Sequence, residues 1–175
     1  MCILFELCST SLFEVLHESQ RPVGGEEMLR VLREVALGVY YLHHFDPPIL
    51  HLDLKSANVL IDEMGTAKVC DFGLSHELAD QTREEAGDGS PQWTAPEKLR
   101  GESVDEKVDV YSYGILMYEV MARKLPYADS PCAQIVLGVL TGELDRPKLS
   151  PQDAERGADL HCCLIRWVIG SSLRR

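Results

Sequence analysis

The sequence predicts one domain of the α+β class, mainly α-helical with a small β-hairpin. Residues 26–44 and 104–121 repeat apolar side chains at three- and four-residue spacing, which is typical of helices that pack against a core. Between them, the short apolar runs 59–61 and 67–70 flank a turn-forming segment, which indicates a hairpin. A chain of 175 residues is long enough to bury one hydrophobic core.

Composition and charge exclude several classes of protein. With 45% hydrophobic and 26% charged residues the chain is expected to fold, and its net charge of -11 argues against a nucleic-acid partner. No apolar run reaches the roughly 18 residues that a membrane span requires. Six cysteines without a C-x-x-C pair, and a start without a secretory signal, predict a reduced, cytoplasmic protein.

The N-terminal half predicts a strand, a short helix, a connector and a longer helix. Residues 1–5 form a short apolar run that predicts a strand, and residues 12–17 predict a short helix capped by Ser11 or an earlier hydroxyl. The Gly24-Gly25 pair is interpreted as a connector, because no strand and helix surround it as in a phosphate loop. The helix over 26–44 carries acids in its first turn, and Pro47-Pro48 is expected to stop it.

The C-terminal half continues with loops and helices. The hairpin over 59–70 is followed by a polar stretch between Gly73 and Ala95, which is typical of a mobile loop. The helix over 104–121 follows, and a further helix is predicted at 134–140, whereas a turn at 125–127 and a helix at 160–167 are implied only by resemblance to a known family. Cys162 and Cys163 are interpreted as small apolar residues on a buried face rather than as metal ligands.

One stretch carries most of the chemistry, the run from His51 to Asn58 that leads into the hairpin. Asp53, Lys55 and Asn58 place a base, a cation and a metal-ligating amide on a single loop. Asp71-Phe72-Gly73 begins thirteen residues after Asn58, and Ala95-Pro96-Glu97 comes later. This combination suits phosphoryl transfer, where catalysis is mostly positioning together with neutralisation of phosphate charge.

The order and spacing of these motifs resemble the signature set of the protein kinases, H-R-D-L-x-x-x-N, D-F-G and A-P-E. The resemblance implies a kinase large lobe that uses ATP and Mg²⁺. It implies that Asp53 accepts the substrate hydroxyl proton, that Lys55 steadies the γ-phosphate and that Ser90 hydrogen-bonds near both. It also implies that Asn58 and Asp71, at the two ends of the hairpin, converge to hold Mg²⁺.

The same resemblance implies an adenine site at the start of the chain. Phe5 takes the gatekeeper position, the backbone of Glu6 and Cys8 is expected to hydrogen-bond adenine, and Leu60 is expected to pack beneath it. Two plainer interpretations remain open for these residues. Residues 1–5 could be an edge strand only, and Leu60 could serve as a core leucine in either case.

Further motifs resemble the tyrosine-kinase-like (Raf/mixed-lineage-like) group of serine/threonine kinases. The run Gly89-Ser90-Pro91-Gln92-Trp93-Thr94-Ala95-Pro96-Glu97 is similar to the peptide-binding turn G-T-P-x-W-x-A-P-E of that group. The Lys-Ser-Ala-Asn run after Asp53 favours serine/threonine over tyrosine as the acceptor. Asp109 lies in D-V-x-S-x-G, which implies a buried carboxylate that holds the backbone of the catalytic loop.

The sequence departs from the family in three places. Residues 1–175 contain neither G-x-G-x-x-G nor V-A-I-K, so we expect a partial kinase domain, hinge and large lobe without the small lobe and the last helix, inactive on its own. Arg174 lies near the register of the arginine that pairs with Glu97, but no final helix follows. Leu52 replaces the arginine of H-R-D, which predicts that phosphorylation of Thr82 or Ser90 is not an on-switch.

Three functions are compatible with these motifs. The first is phosphorylation of serine or threonine in a protein substrate, with regulatory domains possible elsewhere. The second is a non-catalytic binding or scaffold fragment derived from a kinase, favoured by the lack of a V-A-I-K lysine but opposed by intact Asp53, Asn58 and Asp71. The third is a phosphotransferase for small molecules, and the peptide-binding turn around Trp93 argues against it.

Overall fold

The computed structural model describes residues 4, 6–19, 23–78 and 90–156. In this part of the chain the fold is mainly α-helical with small sheets, as predicted. The helices are α1 Gly25–His43, α2 Pro96–Leu99, α3 Lys107–Ala122, α4 Cys132–Thr141 and α5 Pro151–Arg156. The strands are β1 Thr10–Ser11, β2 Ile49–Leu50, β3 Val59–Ile61, β4 Ala67–Val69 and β5 His76–Glu77.

Helix α1 confirms the prediction for residues 26–44 to within one residue at each end. Its first turn carries Glu26 and Glu27, whose charges favour the positive end of the helix dipole. The apolar stripe faces the core and buries five residues, Met28, Val31, Leu32, Val35 and Val39. The helix ends before Pro47 and Pro48, as expected.

Helix α3 is the central element of the larger core. It begins at Lys107, three residues later than predicted, because Asp105 accepts hydrogen bonds from the first turn through its carboxylate (Lys107 N, 2.8 Å) and its carbonyl (Val108 N, 3.2 Å). Most of its residues are buried, including Leu116 at 0% exposure, so the helix runs through the protein interior. The left-handed Arg123 ends it.

The predicted hairpin is confirmed. Strand β3 pairs antiparallel with β4 in the register Val59 with Val69, and β1 adds to the other edge of β3 with Thr10 opposite Ile61. The turn closes on Asp62, whose Oδ1 accepts hydrogen bonds from the backbone N–H groups of Met64 and Thr66, both at 2.9 Å. A second sheet pairs β2 with β5.

One prediction for the N-terminal region needs correction, and the predicted short helix over 12–17 is present in π-helical form at its C-terminal end. Leu4 is 98% exposed and lies outside any strand, which contradicts the strand prediction at this residue, and Met1–Ile3 and Phe5 lie outside the described residues. The segment Glu14–Glu18 is a π-helical turn, closed by a bond from Ser19 N to Glu14 O. Ser11 Oγ accepts from Glu14 N while Glu14 Oε2 accepts from Ser11 N, so the predicted hydroxyl bonds to the first π-helical residue, although Phe13 directly before the segment makes no side-chain cap.

Two hydrophobic clusters position the site. The larger cluster lies between α1, α3 and the hairpin and includes Leu12, Val35, Leu54, Val59 and Leu116. The smaller cluster, the Leu52 cluster below, contains Leu50, Leu52, Ala95 and Val108. Helix α4 confirms the prediction for 134–140 and extends it to Cys132–Thr141. No described helix is long and apolar enough to span a membrane.

The predictions for the far C-terminal region lie outside the described residues. These are the helix over 160–167, the pair Cys162-Cys163 and the approach of Arg174 to Glu97. Glu97 itself is half-buried at the start of α2. Thr82 and most of the polar loop before Ser90 also lie outside the described residues, because residues 79–89 are not described.

Candidate active site

The loop that precedes β3 is anchored by a buried carboxylate on α3. Asp109 is 0% exposed, and its Oδ1 accepts from the backbone N–H of Leu52 while its Oδ2 accepts from that of His51, both at 2.8 Å. The imidazole of His43 donates to the same Oδ2 at 2.8 Å. These contacts confirm that Asp109 holds the backbone of the loop, as its motif implied.

Leu52 has an unusual backbone conformation for its type. Its φ of 67° lies in the left-handed region, which costs a branched side chain about 1–2 kcal/mol. Its side chain is buried in the Leu52 cluster, and its carbonyl accepts a hydrogen bond from Lys98 Nζ at 2.8 Å. Burial of the side chain and three polar contacts on the adjacent peptides offset the backbone strain.

Four predicted site residues come together just beyond Leu52. Lys55 Nζ donates to Asp53 Oδ2 at 2.7 Å and to Ser90 Oγ at 2.9 Å. The amide of Asn58 donates to the same Asp53 Oδ2 at 2.9 Å and to the Asp53 carbonyl at 2.8 Å. The structure therefore joins the loop to the segment 90–97, which we call the Ser90 turn. Lys55 and Ser90, which make this contact, are 35 residues apart in the sequence.

Among the described residues, the side-chain hydrogen bonds to Asp53 all reach one carboxylate oxygen, Oδ2. Both side-chain donors, Lys55 and Asn58, reach Oδ2. The Asp53 side chain is 11% exposed and that of Lys55 is 21% exposed, so solvent reaches the pair only in part. A carboxylate held through one oxygen beside an ammonium group can accept a proton on its other oxygen without leaving its position.

A backbone hydrogen bond at the base of the hairpin joins Asn58 to the residue that precedes Asp71. Cys70 N donates to the Asn58 carbonyl at 3.0 Å, which brings Asp71, the next residue, beside the loop. Asn58 turns its amide nitrogen to Asp53, which leaves Oδ1 as its candidate ligand atom, and the exposed Asp71 accepts a 3.3 Å hydrogen bond from Gly73 N, its one acceptor contact among the described residues. One amide oxygen and one carboxylate fit Mg²⁺, which prefers hard oxygen ligands and keeps several waters.

The described residues contain no group of three or more His, Cys, Asp or Glu side chains arranged to hold a metal ion. The two candidate Mg²⁺ ligands form a smaller set than that. Such a set is typical of magnesium that is held jointly by protein and by substrate phosphates.

The residues predicted to surround adenine are placed only in part. Phe5 lies outside the described residues. Glu6 is exposed, and its carboxylate accepts from Lys68 Nζ at 2.7 and 2.8 Å. Lys68 is the cross-strand partner of the half-buried Leu60. Because Glu6 binds Lys68, Glu6 and Leu60 both lie next to the β3–β4 pair.

Cys8 and Cys70 lie near this sheet as well. Burial raises the pKa of the Cys70 thiol, and the neighbouring Asp71 and Cys8 raise it further. The Cys70 sulfur is therefore a thiol rather than a thiolate at neutral pH. Cys8, Cys70 and Cys132 are free cysteines.

The structure adds a residue that the sequence analysis missed. Glu119 on α3 is 0% exposed, and it accepts hydrogen bonds from Ser56 Oγ at 2.5 Å, Trp93 Nε1 at 3.0 Å and His17 Nε2 at 2.9 Å. It thus connects the loop with the Ser90 turn a second time. No local pattern in the sequence signals this role, because α3 carries a second buried acid, Asp109, and the three donors to Glu119 lie on distant segments.

His51 also contributes to the geometry of the loop. Its Nδ1 accepts from Asp53 N at 3.3 Å, so its Nε2 carries the proton and donates to the Cys70 carbonyl at 3.0 Å. The imidazole therefore connects the backbone before Asp53 with the backbone before Asp71. The histidine of the H-x-D motif was the sequence signal for this contact.

Comparison with known proteins identifies the family of the chain. The family model described as protein kinase domain matches residues 1–156, which is most of the chain. The chain belongs to the protein kinase family.

Three similar proteins indicate which group of protein kinases the chain resembles. The chain is 41% identical over 150 residues to the serine/threonine-protein kinase CTR1 of Arabidopsis thaliana, covering 82% of this chain and 18% of that protein. It is 40% identical over 147 residues to mitogen-activated protein kinase kinase kinase 13-B of Xenopus laevis, covering 83% and 15%. It is 36% identical over 158 residues to mitogen-activated protein kinase kinase kinase dlk-1 of Caenorhabditis elegans, covering 89% and 16%.

These relatives confirm the resemblance to tyrosine-kinase-like serine/threonine kinases of the Raf and mixed-lineage type. The chain spans less than a fifth of the length of each of the three.

Proposed function

We propose that this chain forms the large-lobe part of a serine/threonine kinase, which transfers the γ-phosphoryl group of ATP to a hydroxyl of a protein substrate. The observation that carries the proposal is the cluster of Asp53, Lys55 and Ser90, held by hydrogen bonds of 2.7 and 2.9 Å between two segments. A base, a cation and a hydroxyl from a peptide-binding turn are the parts that this reaction requires at its acceptor side.

Each residue of the cluster has a proposed role. Asp53 accepts the proton of the substrate hydroxyl on the oxygen that Lys55 and Asn58 leave available. Lys55 keeps that carboxylate in place and offers its positive charge to the γ-phosphate as negative charge moves toward the leaving group. Ser90 fixes the ammonium group of Lys55 from the side on which the substrate peptide is proposed to lie.

The proposed magnesium ligands are Asn58 and Asp71. Bound Mg²⁺ neutralises phosphate charge during the transfer. The chain's own contribution is proposed to be an amide oxygen and a carboxylate from the two ends of the hairpin, and the hydrogen bond from Cys70 N to the Asn58 carbonyl supports this proposal. On the adenine side we propose the backbone of Glu6 and Cys8, with Leu60 and Phe5 as apolar contacts.

The role of Asp53 is tested by Asp53→Asn, assayed in the longest polypeptide that the gene encodes. We expect a loss of about 100-fold or more in the rate of phosphate transfer to casein, because the amide cannot accept the proton. The exposed Asp145→Asn is the matched control and should keep the wild-type rate. Equal rates for Asp53→Asn and wild type would contradict the proposal.

The sequence supports further proposals on the activity of residues 1–175 alone, the location of the protein and its type of partner. We propose that residues 1–175 alone are inactive, because they contain no G-x-G-x-x-G loop to cover the phosphates. Free cysteines support a cytoplasmic location, and the net charge of -11 supports a protein rather than a nucleic-acid partner. If no version of the protein transfers phosphate, the scaffold function becomes the better explanation.

Activation by loop phosphorylation is not part of the proposed mechanism. The arginine that binds a loop phosphate in the kinase resemblance is Leu52 here, and Leu52 is buried among apolar side chains. We therefore expect Thr82→Glu to change the rate of casein phosphorylation by less than about tenfold. Thr82→Ala serves as its control for loss of the hydroxyl, and a larger activation by the glutamate would contradict the expectation.

A further inference from the structure

Lys98 contacts the backbone immediately before Asp53. Its ammonium group donates to the Leu52 carbonyl at 2.8 Å from a half-buried position in α2. Lys98 directly follows the Ala95-Pro96-Glu97 motif, and no motif identified in the sequence assigns it a role. The contact joins α2 to the loop across 46 residues of sequence.

The two peptide groups that flank Leu52 are held by opposite charges. The Leu52 N–H donates to the carboxylate of Asp109, and the Leu52 carbonyl accepts from the ammonium of Lys98, both at 2.8 Å. Hydrogen bonds to charged groups are the stronger ones in proteins. Leu52 between them has a φ of 67°, a conformation that a leucine leaves unless its surroundings hold it there.

Holding this carbonyl also orients Asp53. The carbonyl of Leu52 and the N–H of Asp53 belong to one planar peptide group, so their directions are fixed together. That N–H points to His51 Nδ1 at 3.3 Å, a long hydrogen bond that restrains it weakly. The 2.8 Å contact with Lys98 is therefore the stronger restraint on the peptide group from which the Asp53 side chain starts.

The side chain at position 52 cannot provide this restraint itself. Leu52 is apolar and packs with Leu50, Ala95 and Val108, so it fixes the position of its own Cα but places no charge near the loop. A cation near this backbone comes instead from Lys98 on a neighbouring helix. The packing and the charge thus act on the same residue from different elements.

We propose that Lys98 is a positioning residue for Asp53. It keeps the Leu52–Asp53 peptide group in the orientation that directs the Asp53 carboxylate to the substrate hydroxyl, as a permanent positive charge that needs no modification of the polar loop. The inference rests on the proposed function for the role of Asp53. The contact between Lys98 and the backbone can be tested without any catalytic assay.

Three variants separate the effect of the Lys98 charge from the effects of side-chain length and of losing any lysine. Lys98→Met removes the ammonium group and keeps a similar side-chain length, whereas Lys98→Arg keeps a positive donor. Lys148→Met is the matched control, because Lys148 is 79% exposed and pairs with Asp145 far from the loop in sequence. None of these residues touches the proposed reacting atoms.

The first experiment measures backbone amide exchange by mass spectrometry on residues 1–175, using peptides that cover residues 50–55. In Lys98→Met the exchange of these amides should be about tenfold or more faster than in wild type, because the peptide group loses its strongest restraint. Lys98→Arg and Lys148→Met should exchange like wild type. Wild-type exchange in Lys98→Met, or fast exchange in Lys98→Arg, would overturn the inference.

The second experiment measures kcat and KM for MgATP and casein in the longest polypeptide that the gene encodes, per folded molecule as judged by near-ultraviolet circular dichroism. Lys98→Met should lower kcat by about 10- to 100-fold and leave both KM values within about twofold, because misplacing a base affects the transition state. Lys98→Arg should restore kcat. Fast exchange combined with unchanged kcat would reduce Lys98 to a structural residue and overturn the positioning role.

The two experiments also separate this inference from the proposed function. If wild type transfers no phosphate to casein or to itself, the proposed function and the catalytic part of the inference both fail. The exchange experiment then still decides whether Lys98 holds the loop. If wild type is active and Lys98→Met matches it in both experiments, only the inference fails.

Discussion

At the scale of single residues, two carboxylates on α3 hold the candidate active loop, residues 51–58, from the protein interior. Asp109 accepts from the backbone at His51 and Leu52, and Glu119 accepts from the side chain of Ser56 farther along the same loop. Both carboxylates are 0% exposed. Because buried carboxylates are stable only with hydrogen-bond partners, the loop and the helix stabilise each other.

Replacing Glu119 should therefore destabilise the fold. Glu119→Ala removes the acceptor for Ser56, Trp93 and His17 together, and we expect the free energy of unfolding to fall by roughly 3 kcal/mol. Urea denaturation followed by Trp fluorescence measures the change. The exposed Glu143→Ala should stay within about 0.5 kcal/mol of wild type, and a similar small loss for Glu119→Ala would contradict the argument.

The sequence identifies some of these residues and not others. The role of Asp109 could be predicted because the D-V-x-S-x-G motif implies a carboxylate that binds the backbone of the loop. The structure contains these contacts, from the N–H groups of His51 and Leu52. Asp53, Lys55, Asn58 and Ser90 come together as the motif spacing implied, although their chemical roles stay predictions. Glu119 and Lys98 could not be found in this way, because their partners lie on distant segments and no local pattern specifies a buried acceptor or a donor to one carbonyl.

At the scale of elements, the longer helices and the hairpin follow the sequence pattern closely. Helix α1 and the pair β3–β4 agree with their predicted ranges to within one residue, since apolar periodicity and turn residues act locally. The π-helical turn at Glu14–Glu18 does not follow from propensity, because its closing bond from Ser19 to Glu14 depends on how the segment packs between β1 and the core. Tertiary packing decides such short elements.

The hairpin turn should lose stability in acid. The backbone N–H of Thr66 holds the pKa of the Asp62 carboxyl below its usual value, and the N–H of Met64 and the side chain of Lys68 contribute. A lowered pKa in the folded state stabilises the protein above the unfolded-state pKa of about 3.9, and this stabilisation disappears as the pH falls through the folded-state value.

Thermal unfolding between pH 3 and pH 7 tests this behaviour. We expect Asp62→Ala to have a lower midpoint than wild type at pH 7, and the gap should shrink as the pH falls below about 4. The neighbouring Glu63→Ala is exposed and should show no such gap at any pH. A gap for Asp62→Ala that stays constant down to pH 3 would show that the charge of Asp62 has no part in the turn.

At the scale of the whole molecule, the loop and the Ser90 turn are tied together from two sides. Lys55 links Asp53 to Ser90, and Glu119 links Ser56 to Trp93. The Leu52 cluster adds a third connection, in which Leu52 packs with Ala95 and with the partly buried Leu74 and Leu78. The active loop is thus fixed by packing as well as by charge.

Introducing the family's arginine at position 52 should oppose this packing. Leu52→Arg places a cation among Leu50, Ala95 and Val108, and we expect a loss of about 2–4 kcal/mol in the free energy of unfolding. Leu52→Met conserves volume and should cost less than about 1.5 kcal/mol. Urea denaturation compares the two, and equal stability of Leu52→Arg and wild type would show that the cluster accepts charge.

The anchors of the active loop come late in the chain. The N–H groups of His51 and Leu52 donate to Asp109, which lies 58 and 57 residues farther along the chain. The hydroxyl of Ser56 donates to Glu119, which lies 63 residues farther along. A ribosome makes the loop first and α3 afterwards, and contacts of long sequence separation form slowly. A nascent chain that has not yet emerged as far as Glu119 therefore carries Asp53 on an unsupported segment, and the site assembles only when translation has passed helix α3.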